Sequence, residues 1–168
     1  MPVNEDDIFT RFIFGKWKIR KSENQSGVSE IRIHPAAFQP HEQRNDLSVS
    51  QISDLKLNAG ERSIWFIGKW IEKKRQDNGS PSNLYGRGDL SVSQIHGLNL
   101  GIHPDESPPR HANLINFPPF STEKESASFY IQQMLANIAE GFLSKDEQPE
   151  ISNILNEDVA VKPEFSGH

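Results

Sequence analysis

Arg44-Asn45-Asp46-Leu47-Ser48-Val49-Ser50-Gln51-Ile52 returns 43 positions later as Arg87-Gly88-Asp89-Leu90-Ser91-Val92-Ser93-Gln94-Ile95, and Leu55 and Leu57 are matched by Leu98 and Leu100. The shared motif suits a strand through its Leu47/Val49/Gln51 alternation and a helix start through a serine N-cap. Flanking residues separate the copies. In the first, Asn58 or another polar residue ahead of Ala59-Gly60-Glu61-Arg62 caps a helix predicted to reach about Arg75 and to carry Ile64, Trp65, Ile67 and Ile71. In the second, Gly97 breaks the run early and Leu98-Asn99-Leu100-Gly101-Ile102 alternates, which predicts a short helix near Val92–His96 followed by a strand. Two copies fall short of the roughly three that a solenoid needs. The motif is therefore read as a duplicated local element, not a repeat array.

Upstream, Trp17 and Ile19 share one parity and Lys16, Lys18 and Arg20 the other, so Phe12 to Arg20 is expected as a half-buried strand. Val28 to His34 alternates again, with Ile31 and Ile33 inward and Arg32 and His34 outward, giving a strand pair joined by a long loop. If the pair forms, Lys16, Lys18, Arg20, Arg32 and His34 make a basic face with Trp17 behind it. Downstream, Thr122-x-x-Glu125 has capping-box spacing. Ala127, Ile131, Met134, Leu135, Ile138 and Phe142 recur at helical spacing, with an end at Gly141 or just beyond.

These elements predict an α+β fold, a small, mostly antiparallel sheet packed against the Trp65 and Met134 helices. The 168 residues, 35% hydrophobic and 24% charged, fit one domain over 1–143. Residues 144–168 hold Lys145 and Lys162 against six acids and read as a mobile acidic tail. The absence of cysteine excludes a disulfide framework, a thiol nucleophile and thiolate metal sites. The acidic start MPVNEDDIF lacks the pattern of a secretory signal, and no stretch reaches the ~18 apolar residues of a membrane span. A cytoplasmic protein with no membrane association and no cofactor is expected.

From Pro35 to Pro118 the chain resembles small uncharacterised bacterial proteins. The resemblance rests on Ala37-Phe38, Leu47-Ser48-Val49, Ile64-Trp65-Phe66-Ile67-Gly68, Gly86-Arg87-Gly88-Asp89-Leu90 and Arg110-His111-Ala112-Asn113. It implies a prokaryotic origin and brings no activity with it.

The densest chemistry lies in the loop His103 to Asn113, where arginine beside histidine can hold a phosphate while the imidazole moves a proton. Arg87 and Arg110, with Asn113, are the candidate ligand contacts, and His111 or His34 the candidate acid or base. The bland alternatives are a pinned, solvated loop for Arg110 to Asn113 and a turn for Gly86-Arg87-Gly88. No Walker loop, complete dinucleotide fingerprint or GxSxG elbow occurs. His96, His103, Asp105 and His111 have the residue types of a metal site without a recognised spacing, so no metal is expected. Lys69, Lys73, Lys74 and Arg75 are accounted for by the negative end of the helix they terminate.

Two functions compete. One is a noncatalytic protein-binding accessory component, as in a bacterial defence or toxin-antitoxin system, with a protein partner or a second copy of itself. The other is a small enzyme or binding protein for a nucleotide or RNA end. The second requires Arg87, Arg110 and a histidine to converge on one pocket. The first requires an exposed apolar patch or an oligomer interface.

Overall fold

Ile8–Ile13 (β1) carries apolar side chains at both parities, Phe9 and Ile13 toward one core and Ile8 and Phe12 toward another, and so needs cover on both faces of its sheet. The computed structural model describes residues 3–57, 60–144 and 151–168. After β1 the strands are Ile19–Glu23 (β2), Ser29–Ile33 (β3), Leu47–Gln51 (β4), Gly86–Ser91 (β5), Gly101–Pro104 (β6), His111–Ile115 (β7) and Glu140–Leu143 (β8). Six of them form an antiparallel sheet in the order β6-β7-β4-β1-β5-β8, and β2 pairs with β3 as a separate ribbon. The helices are Ser53–Leu57 (α1), Glu61–Asp77 (α2), Val92–Gly97 (α3) and Ala127–Ile138 (α4). The fold is α+β with α2 and α4 as its two main helices, as predicted.

The two copies of the motif flank β1, one on each side, and do not pair with each other. In the first copy, pairing with β7 carries the strand through Ser50 and α1 opens at Ser53. In the second, the ladder to β1 ends at Ile8↔Ser91, and Ser91 caps α3 in a reciprocal capping box with Gln94. Pairing partners, not the shared residues, decide where each copy turns helical. Asn58, the cap expected for α2, lies outside the described residues. Gly60 is the N-cap and makes no side-chain cap bond.

One face of the sheet is covered by the β2–β3 ribbon, the Pro35–Phe38 turn and α4, around Phe9, Phe38, Leu90 and Leu135. The ribbon lies close because β5 presents glycine there: a Cβ on Gly86 would stand 2.7 Å from Ile19 Cδ1, and one on Gly88 3.0 Å from Ile33 Cδ1. The segment read as a turn around Arg87 is thus a strand stripped of side chains on the ribbon side.

On the opposite face α2 packs through Ile64, Trp65 and Ile67. The carboxylate of the buried Glu72 accepts from the backbone N–H of Leu84, which ties the end of the α2–β5 connection to the helix. The expected mobile tail behaves differently in its described part. Ile154, Val161 and Phe165 are buried against this helix, with the Phe165 ring 5.9 Å from Phe66 and 5.0 Å from Trp70. Residues 145–150 of that tail lie outside the described residues.

Three boundaries differ from expectation. The segment from Phe12 to Arg20 is broken by a 3-10 turn at Lys16–Lys18, closed by Lys18 N–H to Gly15 O at 3.0 Å. That turn resets the parity, so Ile19 is buried while Trp17 is 63% exposed. Helix α4 is capped by Ser126, whose Oγ accepts from Phe129 N, and not by Thr122. It stops at Ile138 because Ala139 is extended and Glu140–Leu143 pairs with β5 as the sheet's edge, which moves Phe142 from a helix face to a strand.

Candidate functional site

Between β1 and β4 the sheet comes apart. Their ladder holds only Phe9↔Gln51 and Thr10↔Ser50, while β4 stays with β7 through Leu47↔Leu114 and β1 with β5 through Ile13↔Gly86. The Arg11 side chain enters the opening, its Nε donating to Ala37 O at 3.1 Å and its Nη1 to Ser48 O at 3.0 Å. A guanidinium replaces ladder bonds as the link between two central strands.

Above this opening lies a cleft of about 420 Å³, within the range of small-ligand sites. Hydroxyls of Thr10, Ser48 and Ser50 come from the strands, and Phe12 and Phe14 give an apolar base. The C-terminal half of α2 contributes Trp70, Ile71, Lys74 and Arg75, with Asn78 just past its end. Pro108 and His111 complete the lining.

The charge of this lining is one-sided. Arg11, Lys74, Arg75 and His111 border the cleft, and no carboxylate does among the described residues. The helix dipole favours a basic last turn on α2, but it does not explain which cations lack acids. Lys69 pairs with Glu72 and Lys73 with Asp77, the two that point elsewhere. Lys74 and Arg75 rest instead on rings, Nζ 5.2 Å from the Trp70 centroid and Cζ 4.3 Å from that of Phe14. Burial, and after it the positive charge of Arg75, pushes Arg11 down to about 10. Burial also lowers Arg75, and burial followed by the charges of Arg11 and Arg75 lowers Lys18, which stands at the same end of the molecule. Burial is the first cause for all three, and the charge of Arg75 adds to it for Arg11 and Lys18, an effect that an incoming anion would oppose.

The residues singled out from sequence divide. Arg87 is fully buried, with Nε 3.1 Å from Asp89, Nη2 2.9 Å from Glu61, and its Cζ 4.7 Å from the Trp65 ring centroid and 4.2 Å from that of Phe142. Its Nη1 has no hydrogen-bond partner among the described residues. Asp89 also accepts from Lys56 at 2.8 Å. Arg110 is bidentate to Asp54 at 2.6 and 2.9 Å and also reaches Glu164, pinning the β6–β7 loop to α1 and to the C-terminal segment. Hydrogen bonding to Asp54, against the opposing effect of burial and with help from Glu164, holds this guanidinium above its ordinary value. Arg87 and Arg110 are each held by two carboxylates of their own and do not meet.

His111 does reach the cleft. Its Nδ1 lies 2.5 Å from Asp105 Oδ1, and Asn113 Nδ2 is 3.5 Å from the other carboxylate oxygen. Burial raises the Asp105 carboxyl, but the bond to His111, the Ser107 N–H and the nearby His103 outweigh it and hold the group below its ordinary value. Asp105 thus fixes the ring and leaves Nε2 as the nitrogen a ligand can use. His34 lies apart from His111, on the ribbon side. Its Nδ1 accepts from Ala36 N at 3.0 Å, and its ring stands edge-on to Trp17 with centroids 4.8 Å apart.

The basic face forms in part. Arg20 and Arg32 are direct cross-strand neighbours, Arg32 also pairing with Glu30, whereas Lys16 and Lys18 belong to the 3-10 turn beside Trp17. Trp17 therefore shares the surface with the cations and is not behind them. Among the described residues no group of three or more His, Asp or Glu could hold a metal ion, and no helix is long and apolar enough to cross a membrane.

Sequence reading missed Arg11, Lys74 and Arg75. One signal for Arg11 was available: a lone arginine between Phe9 and Ile13, at their own parity, in an otherwise apolar strand. Comparison with known protein families, with curated proteins and with solved structures finds nothing that matches this chain.

Proposed function

We propose that this protein binds a small phosphate-bearing ligand of the nucleotide class in the cleft between β1, β4 and α2. The observation that carries the reading is a set of cations with no acid partner among the described residues: Arg11, Lys74 and Arg75 border one cavity, whereas Arg87 and Arg110 are each matched by two carboxylates. The Arg11 guanidinium has carbonyl acceptors on Ala37 and Ser48 and no carboxylate among the described residues, so its charge, together with those of Lys74 and Arg75, is left for an incoming anion to match. Arg75 would grip phosphate in fork geometry, Arg11 would supply charge from below, and His111 Nε2 would add a donor or acceptor fixed through Asp105. Ser48 and Ser50 suit the remaining polar edges, while Phe14, Trp70 and Ile71 suit a base or sugar face.

The protein-partner reading has less behind it. Among the described residues the exposed large apolar side chains are Trp17 on the 3-10 turn, Val28 in the β2–β3 loop, Leu57 at the end of α1 and Tyr130 on α4, far apart in sequence and on different segments.

Calorimetric titration with uridine monophosphate, pyrophosphate and uridine tests the reading. Both phosphate compounds should bind with an affinity that falls as salt rises, and uridine should not bind. Arg75→Ser, which leaves an exposed helix position intact, should weaken binding roughly tenfold or more through loss of charge-assisted bonds. Absence of phosphate binding, or binding indifferent to both Arg75→Ser and Lys74→Ser, would overturn it.

A further inference from the structure

Resting on that reading, we infer that the ligand is the phosphorylated end of a single-stranded nucleic acid, its terminal phosphate in the cleft and an adjoining base stacked on Trp17. The link is Lys18. Phe14 lines the cleft, the 3-10 turn Lys16–Lys18 begins two residues after it, and the Lys18 ammonium sits 5.5 Å from the Trp17 ring centroid, so a cation lies on the short stretch of chain that joins the cleft to that ring.

Trp17 is built as a platform. It is 63% exposed on a short 3-10 turn, and the turn is fixed from two sides, by Lys18 N–H to Gly15 O and by His34 N–H to Lys18 O at 2.7 Å. The His34 ring, held by the Ala36 N–H on its Nδ1, braces one edge of the indole. That leaves His34 with Nε2 as its proton-bearing nitrogen, a donor beside the platform. An exposed tryptophan with an immobilised backbone and a lysine ammonium over its ring offers a base a stacking surface beside positive charge, and stacking does not depend on base identity. Lys16 shares the turn with Trp17, and Arg20 lies near the start of the strand that follows it. An isolated nucleotide held by the cleft cations would leave this second surface unused.

Fluorescence anisotropy with a short oligouridylate bearing a terminal phosphate, its oligothymidylate counterpart, and uridine monophosphate as competitor tests the extension. The oligonucleotides should bind roughly tenfold or more tighter than the mononucleotide, the gain expected for one stacked base. Trp17→Ala should erase that gain and leave mononucleotide affinity unchanged, and Arg75→Ser should weaken every ligand. A thymidylate equal to the uridylate would extend the ligand to DNA, and a weaker one would restrict it to RNA; both support the track. Oligonucleotides no tighter than the mononucleotide, or a gain that survives Trp17→Ala, would overturn the extension while leaving the cleft reading standing. Equal, Trp17-dependent binding of a hexaglutamate peptide would overturn it in favour of an acidic protein segment. Failure of every phosphate ligand would remove both.

Discussion

Gly68 sits in the interior of α2, where alanine ordinarily stabilises a helix by about 0.5–1 kcal/mol. Here the opposite sign is expected. A Cβ at this position would lie 2.7 Å from Phe12 Cε1, 2.8 Å from Phe12 Cδ1 and 2.9 Å from Leu84 Cδ2, all belonging to buried side chains. The Phe12 ring is packed near Trp65 with centroids 6.5 Å apart, so relieving the contact means repacking that pair. Overpacking of this kind costs about 1–3 kcal/mol, so Gly68→Ala should be destabilised by about 1 kcal/mol after the helical gain is subtracted. Urea titration followed by circular dichroism should show a lower midpoint with an unchanged slope. In a Phe12→Leu background the clash is relieved, and Gly68→Ala should then be neutral or stabilising, a coupling that a double-mutant cycle resolves. A single variant as stable as wild type, or equal effects in both backgrounds, would refute the claim that α2 is seated on β1 by direct contact at this glycine.

Three further outcomes follow from the same packing. Arg87→Met should destabilise by about 3 kcal/mol, since Asp89 keeps Lys56 but loses its buried partner; unlike Arg75→Ser, it should leave uridine monophosphate affinity unaltered in calorimetry. Phe165→Ala should expose the C-terminal segment to limited proteolysis and shift tryptophan emission to the red as Trp70 loses its neighbour, with about 3–5 kcal/mol as a ceiling because a chain end can undock alone. Asp54 is held below its ordinary value of 3.8, chiefly by its hydrogen bond from Arg110, so its contribution is present in full above that value and is lost as pH falls through the lower folded one. Asp54→Asn should therefore flatten the acid limb of a stability-against-pH curve without abolishing it, since Asp105 contributes in the same direction.

What the sequence discloses here is local, and what it hides is a matter of partners. Ile31 and Ile33 announce their ribbon by alternation, and Ser91 can be read as a cap because Gln94 stands at the right spacing. Thr122 offers the same kind of signal as Ser126, and only the fold says which is used. Phe142 continues the helical spacing of α4 by coincidence, overridden by the free edge of β5. Ile154, Val161 and Phe165 look too sparse to fold by themselves, and they do not have to, since α2 supplies the other half of their core. The site was less visible still. Arg110 and Arg87 attract notice as arginines in loop-like or glycine-flanked settings, yet their acids, Asp54, Glu164, Glu61 and Asp89, lie partly in distant segments. Arg11 and Arg75 matter because no acid among the described residues pairs with them, and a missing neighbour leaves no trace in a linear pattern.

The central place of β1 also bears on how the chain is made. This strand is synthesised before either of its sheet neighbours: one edge waits for Leu47–Gln51 and the other for Gly86–Ser91. At about 5–20 residues per second, a nascent chain spends several seconds with Phe9, Phe12 and Ile13 displayed on a strand that has no completed neighbour on its second side. Such a strand is open to mispairing with other chains, and pairing across long separations is slow to form. The charge of Arg11, set among those aromatics, interrupts the apolar run during that interval and so serves the unfinished chain as a guard against self-association.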